Sequence, residues 1–362
     1  MGKLDNMNSI ANLNLRDNYL RAARFSYPRF IPTLISIFRP VWSLYRERLK
    51  NIVVKHPIFF CGGSIEEYEH QYETSLIDRY KVDAFGCVWR TRIDGYIGEV
   101  IKHPLGSWGD LEDFKLPDPH IGVPTESGEP KTVVPWDEIF SNMERARERG
   151  LPVVAWLPHG FLFLRLLYLR GFRNLAIDMY KRIDKLYKLI DMLADYYIEL
   201  VRIYRTGFSG IDVFYFGDDL GAEDRPLISP AQFKEFLYPA YIKLFNEVKA
   251  GGSLVRLHSD GRIVELWNLI LGTGVDILNI QDRPNRIENI VKLKNRVCID
   301  LDIDRRLLAF GSPSEVEDYL RNVVNVFRDP RGGFMLYLEF HPPSKIETIE
   351  CAIEMLQKIV RL

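Results

Sequence analysis

From Leu151 onward, short apolar runs rich in Val, Ile and Phe alternate with longer segments in which apolar residues recur at helical spacing. That alternation predicts a parallel sheet built from βα units. Strands are expected at Val153 to Leu157, Ile211 to Gly217, Leu254 to Asp260, Val275 to Ile280, Val297 to Ile303 and Phe334 to Phe340. Helix starts are signalled between them: Ser229-Pro230 before Ala231 to Lys249, Ser312-Pro313 before Ser314 to Phe327, and Pro342-Pro343 before Lys345 to Val360. Gly251-Gly252 closes the first of these. Gly171 to Arg205 carries an apolar stripe of two packing helices. Upstream, Phe30 to Ile37 and Lys81 to Val88 supply two further strands, which brings the count to the eight that close a (β/α)8 barrel. Asp94-Gly95, between Cys87 to Arg92 and Tyr96 to Val100, signals a hairpin, and His103 to Pro135 is a Pro/Gly-rich excursion. The expected architecture is α/β, a (β/α)8 TIM barrel with N-terminal helical and hairpin additions. It forms one domain over residues 1–362, with 1–26 as an N-terminal extension and no internal repeat.

Composition narrows the classes of partner. The 362 residues are 47% hydrophobic and 27% charged, enough for a large core, and the net charge of −1 offers no bulk attraction for nucleic acid or an anionic membrane. Neither is expected as a partner. The four cysteines, Cys61, Cys87, Cys298 and Cys351, lie far apart, which fits reduced thiols in a cytoplasmic protein and excludes a cysteine-pair zinc module. Met1 to Leu20 has no basic stretch leading into an apolar one, so no signal peptide is expected. The longest apolar segment, Phe161 to Leu169, is interrupted by Arg165 and is too short to span a bilayer.

Candidate chemistry follows from strand parity, because alternate residues of a barrel strand face the interior and functional groups gather at the C-terminal strand ends. In Arg256-Leu257-His258-Ser259-Asp260-Gly261, Leu257 suits the helix side and leaves Arg256, His258 and Asp260 inside. The same reasoning places Cys298, Asp300, Asp302 and Asp304 together, and Tyr337, Glu339 and His341 together. Asn279 and Gln281 share a parity. In Gly217-Asp218-Asp219-Leu220-Gly221 one aspartate must face inward, and His159 stands at another strand end. A barrel gathers these side chains around one mouth, where the carboxylates require protonation, an arginine, a cation or a cationic ligand. A divalent metal is one answer, with His258 and Asp260 joined by Glu339 or His341 in an open catalytic zinc site. A metal-free hydrogen-bonded network is the other, and Asp304 reads equally as a helix cap. Arg225, Arg283, Arg286, Arg305 and Arg306 follow strand ends and are expected to rim the same mouth, open to an anionic substrate.

Taken together, several segments resemble the uroporphyrinogen decarboxylase superfamily, which also contains methyltransferases moving methyl groups between corrinoid proteins and coenzyme M. They are His103-Pro104-Leu105, Leu111-Glu112-Asp113-Phe114, Leu116-Pro117-Asp118-Pro119, Gly217 to Gly221, Leu227-Ile228-Ser229-Pro230 with Phe233, Tyr238 and Pro239, Leu257 to Gly261, Gly274-Val275-Asp276, Gly311-Ser312-Pro313 with Glu315-Val316, and Gly332-Gly333-Phe334. The similarity runs from about Tyr27 to the C-terminus. Two departures matter. The decarboxylases carry a Met-Arg-Gln-Ala-Gly-Arg motif whose arginines grip propionates, whereas Arg39-Pro40-Val41-Trp42-Ser43-Leu44-Tyr45-Arg46-Glu47-Arg48 lacks its core. The methyltransferases hold zinc with His-x-Cys and a later cysteine; His258 matches the histidine, Asp260 stands at the first cysteine, and Glu339 or His341 lies near the second.

The resemblance implies an enzyme, with metal-assisted methyl transfer to or from a corrinoid protein as the leading function. His258, Asp260, Glu339 and His341 are then the metal ligands, with zinc as the expected ion. Asp218, Asp219, Gln281 and Asp304 are the catalytic candidates, and Asn279, Arg256, Arg305 and Tyr337 the substrate-binding ones. The alternative is a cofactor-free decarboxylase acting on a tetrapyrrole or smaller polycarboxylate. A third reading is a non-catalytic barrel that binds a small molecule. A small-molecule substrate is common to all three, and the family suggests a homodimer.

Overall fold

A computed structural model describes residues 14–60, 76–127 and 131–361. Cys61 and most of the N-terminal extension, residues 1–13, lie outside the described residues. The strands are β1 (Thr33–Ile37), β2 (Leu76–Val82), β3 (Val88–Ile93), β4 (Glu99–Lys102), β5 (Gly122–Pro124), β6 (Val133–Pro135), β7 (Val154–Trp156), β8 (Val213–Gly217), β9 (Leu254–Ser259), β10 (Ile277–Gln281), β11 (Cys298–Asp302) and β12 (Phe334–Phe340). Seven of them form a parallel, curled sheet in the order β1-β12-β11-β10-β9-β8-β7, the TIM-barrel arrangement of neighbours.

Six of the expected barrel strands and the Phe30 to Ile37 strand appear where the apolar runs placed them. Lys81 to Val88 does not join the ring. Its first residues end β2, which pairs antiparallel with β3 in a three-stranded sheet with β4, so among the described residues no ladder links β1 to β7. The reason is local: Asp83 to Cys87 is a turn, its ends joined by Asp83 N donating to the Cys87 carbonyl and its interior held by Phe85 N and Cys87 N donating to the Asp83 carboxylate, so the run links β2 to β3 instead of forming one strand.

Parity organises the packing. Val255, Leu257, Leu278, Ile280, Ile299, Leu301, Leu336 and Leu338 point to the helix layer and are almost fully buried, each contributing about 1.5–3 kcal/mol of burial. They face helices such as Pro313–Phe327 and Ile346–Ile359. Ser312 caps the first of these with a reciprocal box, its hydroxyl accepting from Glu315 N while Glu315 accepts from Ser312 N. At the base the strand residues Ile277, Cys298 and Met335 are apolar and cluster with Ala22 and Ala23 of the helix Leu15–Ala23. Toward the C-terminal strand ends the inward positions turn polar.

A candidate active site at the barrel mouth

The polar end of the barrel encloses a cavity of about 630 Å³. Its floor carries Trp156 from β7, Tyr215 from β8 and Arg256 from β9. Arg256 reaches across to Asp300 on β11 (2.5 Å), and its guanidinium lies 5.1 Å from the Tyr215 ring centre. Above this layer the side chains divide into two groups.

The first group is built on the ends of β7, β8 and β9. His159, Asp219 and His258 each offer one ligand atom, and those atoms lie within 4.8 Å of one another. Asp219 Oδ2 meets His159 Nε2 at 3.1 Å, Asp219 Oδ1 lies 3.5 Å from His258 Nε2, and Asp260 Oδ1 lies 3.3 Å from the same nitrogen. Two glycine features make this convergence feasible. A Cβ on Gly217 would sit 2.4 Å from His159 Nδ1, so only glycine lets that ring lie over β8. A Cβ on Gly261 would sit 2.3 Å from the Gly221 backbone, so the loops after β8 and β9 pack main chain against main chain. Asp260 N then donates to Asp219 Oδ1 at 2.9 Å.

The tautomer of His258 is set from behind. Asn279 Nδ2 donates to the Asp300 carbonyl at 2.9 Å, which orients its Oδ1 to accept from His258 Nδ1 at 2.6 Å. Nε2 is thereby directed at the carboxylates. Burial opposes charge on His258, yet the Tyr215 hydroxyl, Asp260 and Asp219 around it raise its pKa well above the usual imidazole value. His159 is also raised, burial again opposing and Asp219 and Glu126 prevailing. Asp219 and Asp260 are lowered against burial, Asp219 chiefly by His159 and Asp260 by His258 with Arg305 beyond it.

The second group lies on β12 and β1. Tyr337 OH donates to Glu339 Oε1 (3.0 Å), His341 Nε2 meets Glu339 Oε2 (2.8 Å), and Phe38 stacks on the His341 ring at 3.9 Å. Arg305 separates the groups, pairing with Asp302 (2.8 Å), Glu339 (2.9 Å) and Asp260 (3.3 Å).

The residues singled out in the sequence therefore distribute unevenly. His258 and Asp260 come together, but Glu339 and His341 are turned to Arg305 and to each other, and the nearby ligand set contains His159 and Asp219 instead. Asp218, Gln281 and Asp304 do not line the cavity. Asp218 points outward and accepts from Phe163 N, Leu164 N and Tyr241 OH, tying down the helix Phe163–Arg170; burial pushes its carboxyl up to about 6. Gln281 accepts from Gly261 N at 2.9 Å, and Asp304 caps the helix Arg305–Phe310 through Arg306 N. Asn279, Arg256, Arg305 and Tyr337 all line the cavity. Of the rim arginines only Arg305 turns in; Arg283 pairs with Glu223 and Arg225 with Asp224, in an adjacent groove or in solvent. Sequence reasoning missed Trp156, Tyr215 and Glu126. Tyr215 shares the parity of Gly217 and Asp219 and was findable, whereas Glu126 comes from the irregular 103–135 excursion, where no period points to the mouth.

Fold and site together define a TIM barrel with an imidazole–carboxylate cluster at its C-terminal mouth. Residues 162–359 match the sequence model of the family described as uroporphyrinogen decarboxylase (URO-D), more than half of the chain, and the chain belongs to that family. The uroporphyrinogen decarboxylase of Geobacillus kaustophilus (strain HTA426) is 22% identical over 272 residues, 70% of this chain and 72% of that protein. A methyltransferase structure from Methanosarcina mazei superposes with a TM-score of 0.66 at 15% identity, covering 95% of this chain and 98% of that one, which shows a shared fold. Among the described residues no helix is long and apolar enough to cross a membrane.

Proposed function

We propose that this chain is a metal-assisted methyltransferase acting with a corrinoid protein, with the metal held by His159, Asp219 and His258. The observation that carries the reading is the donor set itself: two imidazoles and one carboxylate on three separate strand ends, the ligand chemistry of a divalent transition metal with open positions. Asn279 behind His258 is the kind of outer partner that fixes a ligating ring. An ion bound there supplies Lewis-acid polarisation of the methyl donor or acceptor. The chain's own residues do the rest. Asp219 aligns both rings, Arg305 keeps Asp260 and Glu339 ionised on either side, and Trp156, Tyr215 and Phe38 give the cavity apolar walls for a methyl-bearing substrate. The likeness in fold to the Methanosarcina methyltransferase supports this reading, and the open mouth is where a corrinoid carried by a partner protein would approach.

The relative from Geobacillus favours decarboxylation instead, but that chemistry on a polycarboxylate asks for uncommitted cations. Both arginines of the cavity are committed to carboxylates: Arg256 to Asp300, and Arg305 to Asp260, Asp302 and Glu339. The test is metal content of the purified chain by mass spectrometry, with Asp219→Ala and His159→Ala alongside, followed by demethylation of methylcobalamin. Roughly stoichiometric divalent metal that both substitutions remove, together with metal-dependent loss of the methyl group, is the expected result. Metal-free protein that releases carbon dioxide from uroporphyrinogen would establish the decarboxylase instead, and binding of either compound without turnover would leave a non-catalytic barrel.

A further inference from the structure

Most donors that line the mouth cavity are engaged by acids or by each other. Arg256 and Arg305 pair with carboxylates, Tyr337 OH donates to Glu339, and Asn279 is bonded through both its amide atoms. Tyr215 differs: its hydroxyl has no hydrogen-bond partner among the described residues. Strand parity fixes the side on which it stands. Phe214 and Phe216 are fully buried against Tyr204 and Phe245 of the helix layer, whereas Tyr215 between them is half-buried and lines the mouth cavity. Register fixes its depth. Gly217, two residues on, pairs with His258, so the Tyr215 layer lies roughly 6.6 Å along the strand below the imidazole cluster. Trp156 is its register partner on β7, and Phe38 and Tyr337 wall the same cavity from β1 and β12. A flat ring between such walls packs on aromatic faces and edges.

We propose that the Tyr215 hydroxyl is a specificity-determining donor of the mouth, selecting a substrate that presents a neutral oxygen acceptor on a flat, ring-sized apolar body. A donor on the substrate would be served by the carboxylates higher in the cavity, Glu126, Asp219, Asp260 and Glu339, so what Tyr215 adds is its proton. Neutrality follows from the floor. The cation at that depth is Arg256, and Asp300 already balances it, so an anionic oxygen would meet no free positive charge there. The inference rests on the reading of the mouth as a substrate site and adds the substrate's class and orientation: acceptor end on the floor, reacting end toward His159, Asp219 and His258.

The experiment is calorimetric titration of the full chain with acetophenone, with α-methylstyrene, which replaces the carbonyl oxygen by a methylene of nearly the same shape, and with benzoate. Saturable binding is expected, with acetophenone about three- to tenfold tighter than α-methylstyrene and benzoate weakest. Tyr215→Phe removes the hydroxyl alone and should erase the preference for acetophenone while leaving α-methylstyrene unchanged. Thermal melting checks that the variant is folded, and Tyr215→Met, which also lacks the hydroxyl, replaces it if it is not. The proposal is overturned if no probe saturates, if the two neutral probes bind the unaltered chain equally, if benzoate binds tightest, or if a folded variant keeps the preference. Metal content and demethylation of methylcobalamin are read in parallel on the unaltered chain. Their success without the preference overturns this inference alone, and the preference without them overturns the methyltransferase reading alone.

Discussion

Asp302 offers the sharpest test of the electrostatics at the mouth. Its Oδ2 accepts from Arg305 Nη2 at 2.8 Å, while its buried Oδ1 has no hydrogen-bond partner among the described residues. Burial outweighs the pull of Arg305 and His258 and pushes the carboxyl up to about 8. In the unfolded chain the same group titrates near the ordinary value of about 3.9. Between those two values the folded chain keeps a proton that the unfolded chain has released, so folding takes up a proton and stability falls as pH rises. The slope is roughly 1.4 kcal/mol per pH unit, which amounts to roughly 3 kcal/mol between pH 5 and pH 7. This contribution is fully present at or below the unfolded pKa and is lost once the pH has passed about 8. Asp302→Asn replaces the protonated acid by a neutral group of the same shape that still accepts from Arg305. Urea denaturation of both chains at several pH values, with matched m-values, reads the difference directly. The unaltered chain should lose about 3 kcal/mol relative to the variant over that range. Two stability profiles that run parallel would show that Asp302 is ionised in the folded state and would refute the reasoning.

Two further substitutions probe how the site is assembled. Gly217→Ala places a methyl group 2.4 Å from His159 Nδ1 and must move the ring, so affinity for zinc, measured by chelator competition, should fall about 10–100-fold with the fold retained. Arg165→Met removes the cationic partner of Asp83, at 3.1 Å with neither side chain exposed, while Phe85 N, Cys87 N and Trp89 Nε1 still donate to that carboxylate; chemical denaturation should show a loss of about 1.5–3 kcal/mol.

The barrel was legible because its strands are buried on both faces and therefore read as near-continuous apolar runs, broken only at the polar inward positions. That same break is what exposed His258, Asn279, Asp300 and Tyr337 in the sequence. The misplaced strand, Lys81 to Val88, shows the limit: apolar content suggested one strand, but the carboxylate of Asp83 closes a turn over Phe85 and Cys87 and splits the run between two antiparallel strands. Strand parity also stops at the last strand residue. Asp218, Gln281 and Asp304 lie at or just beyond strand ends, where loop geometry alone decides between facing the cavity and accepting from a backbone N–H. His159 entered the cluster for the complementary reason. Its position depends on the missing side chain at residue 217, a contact across 58 positions that no local pattern records.

In the proposed metal reading, the division of the mouth by Arg305 leaves one side of it to the cation. The guanidinium pairs with Asp260, with Glu339 and with one oxygen of Asp302, but no pairing with Asp219 accompanies these. Asp219 is served instead by two imidazoles and the Asp260 N–H. An ionised carboxylate held between rings whose affinity for protons it raises is a place where a proton and a metal ion compete for the same nitrogens. Metal binding must then release protons from His159 and His258, and affinity must climb with pH until both rings are neutral. Asn279 limits what that competition costs in geometry, because Nδ1 of His258 stays bonded whichever species Nε2 carries. The cluster thus keeps one arrangement in both states, which is the preorganisation an open metal site requires.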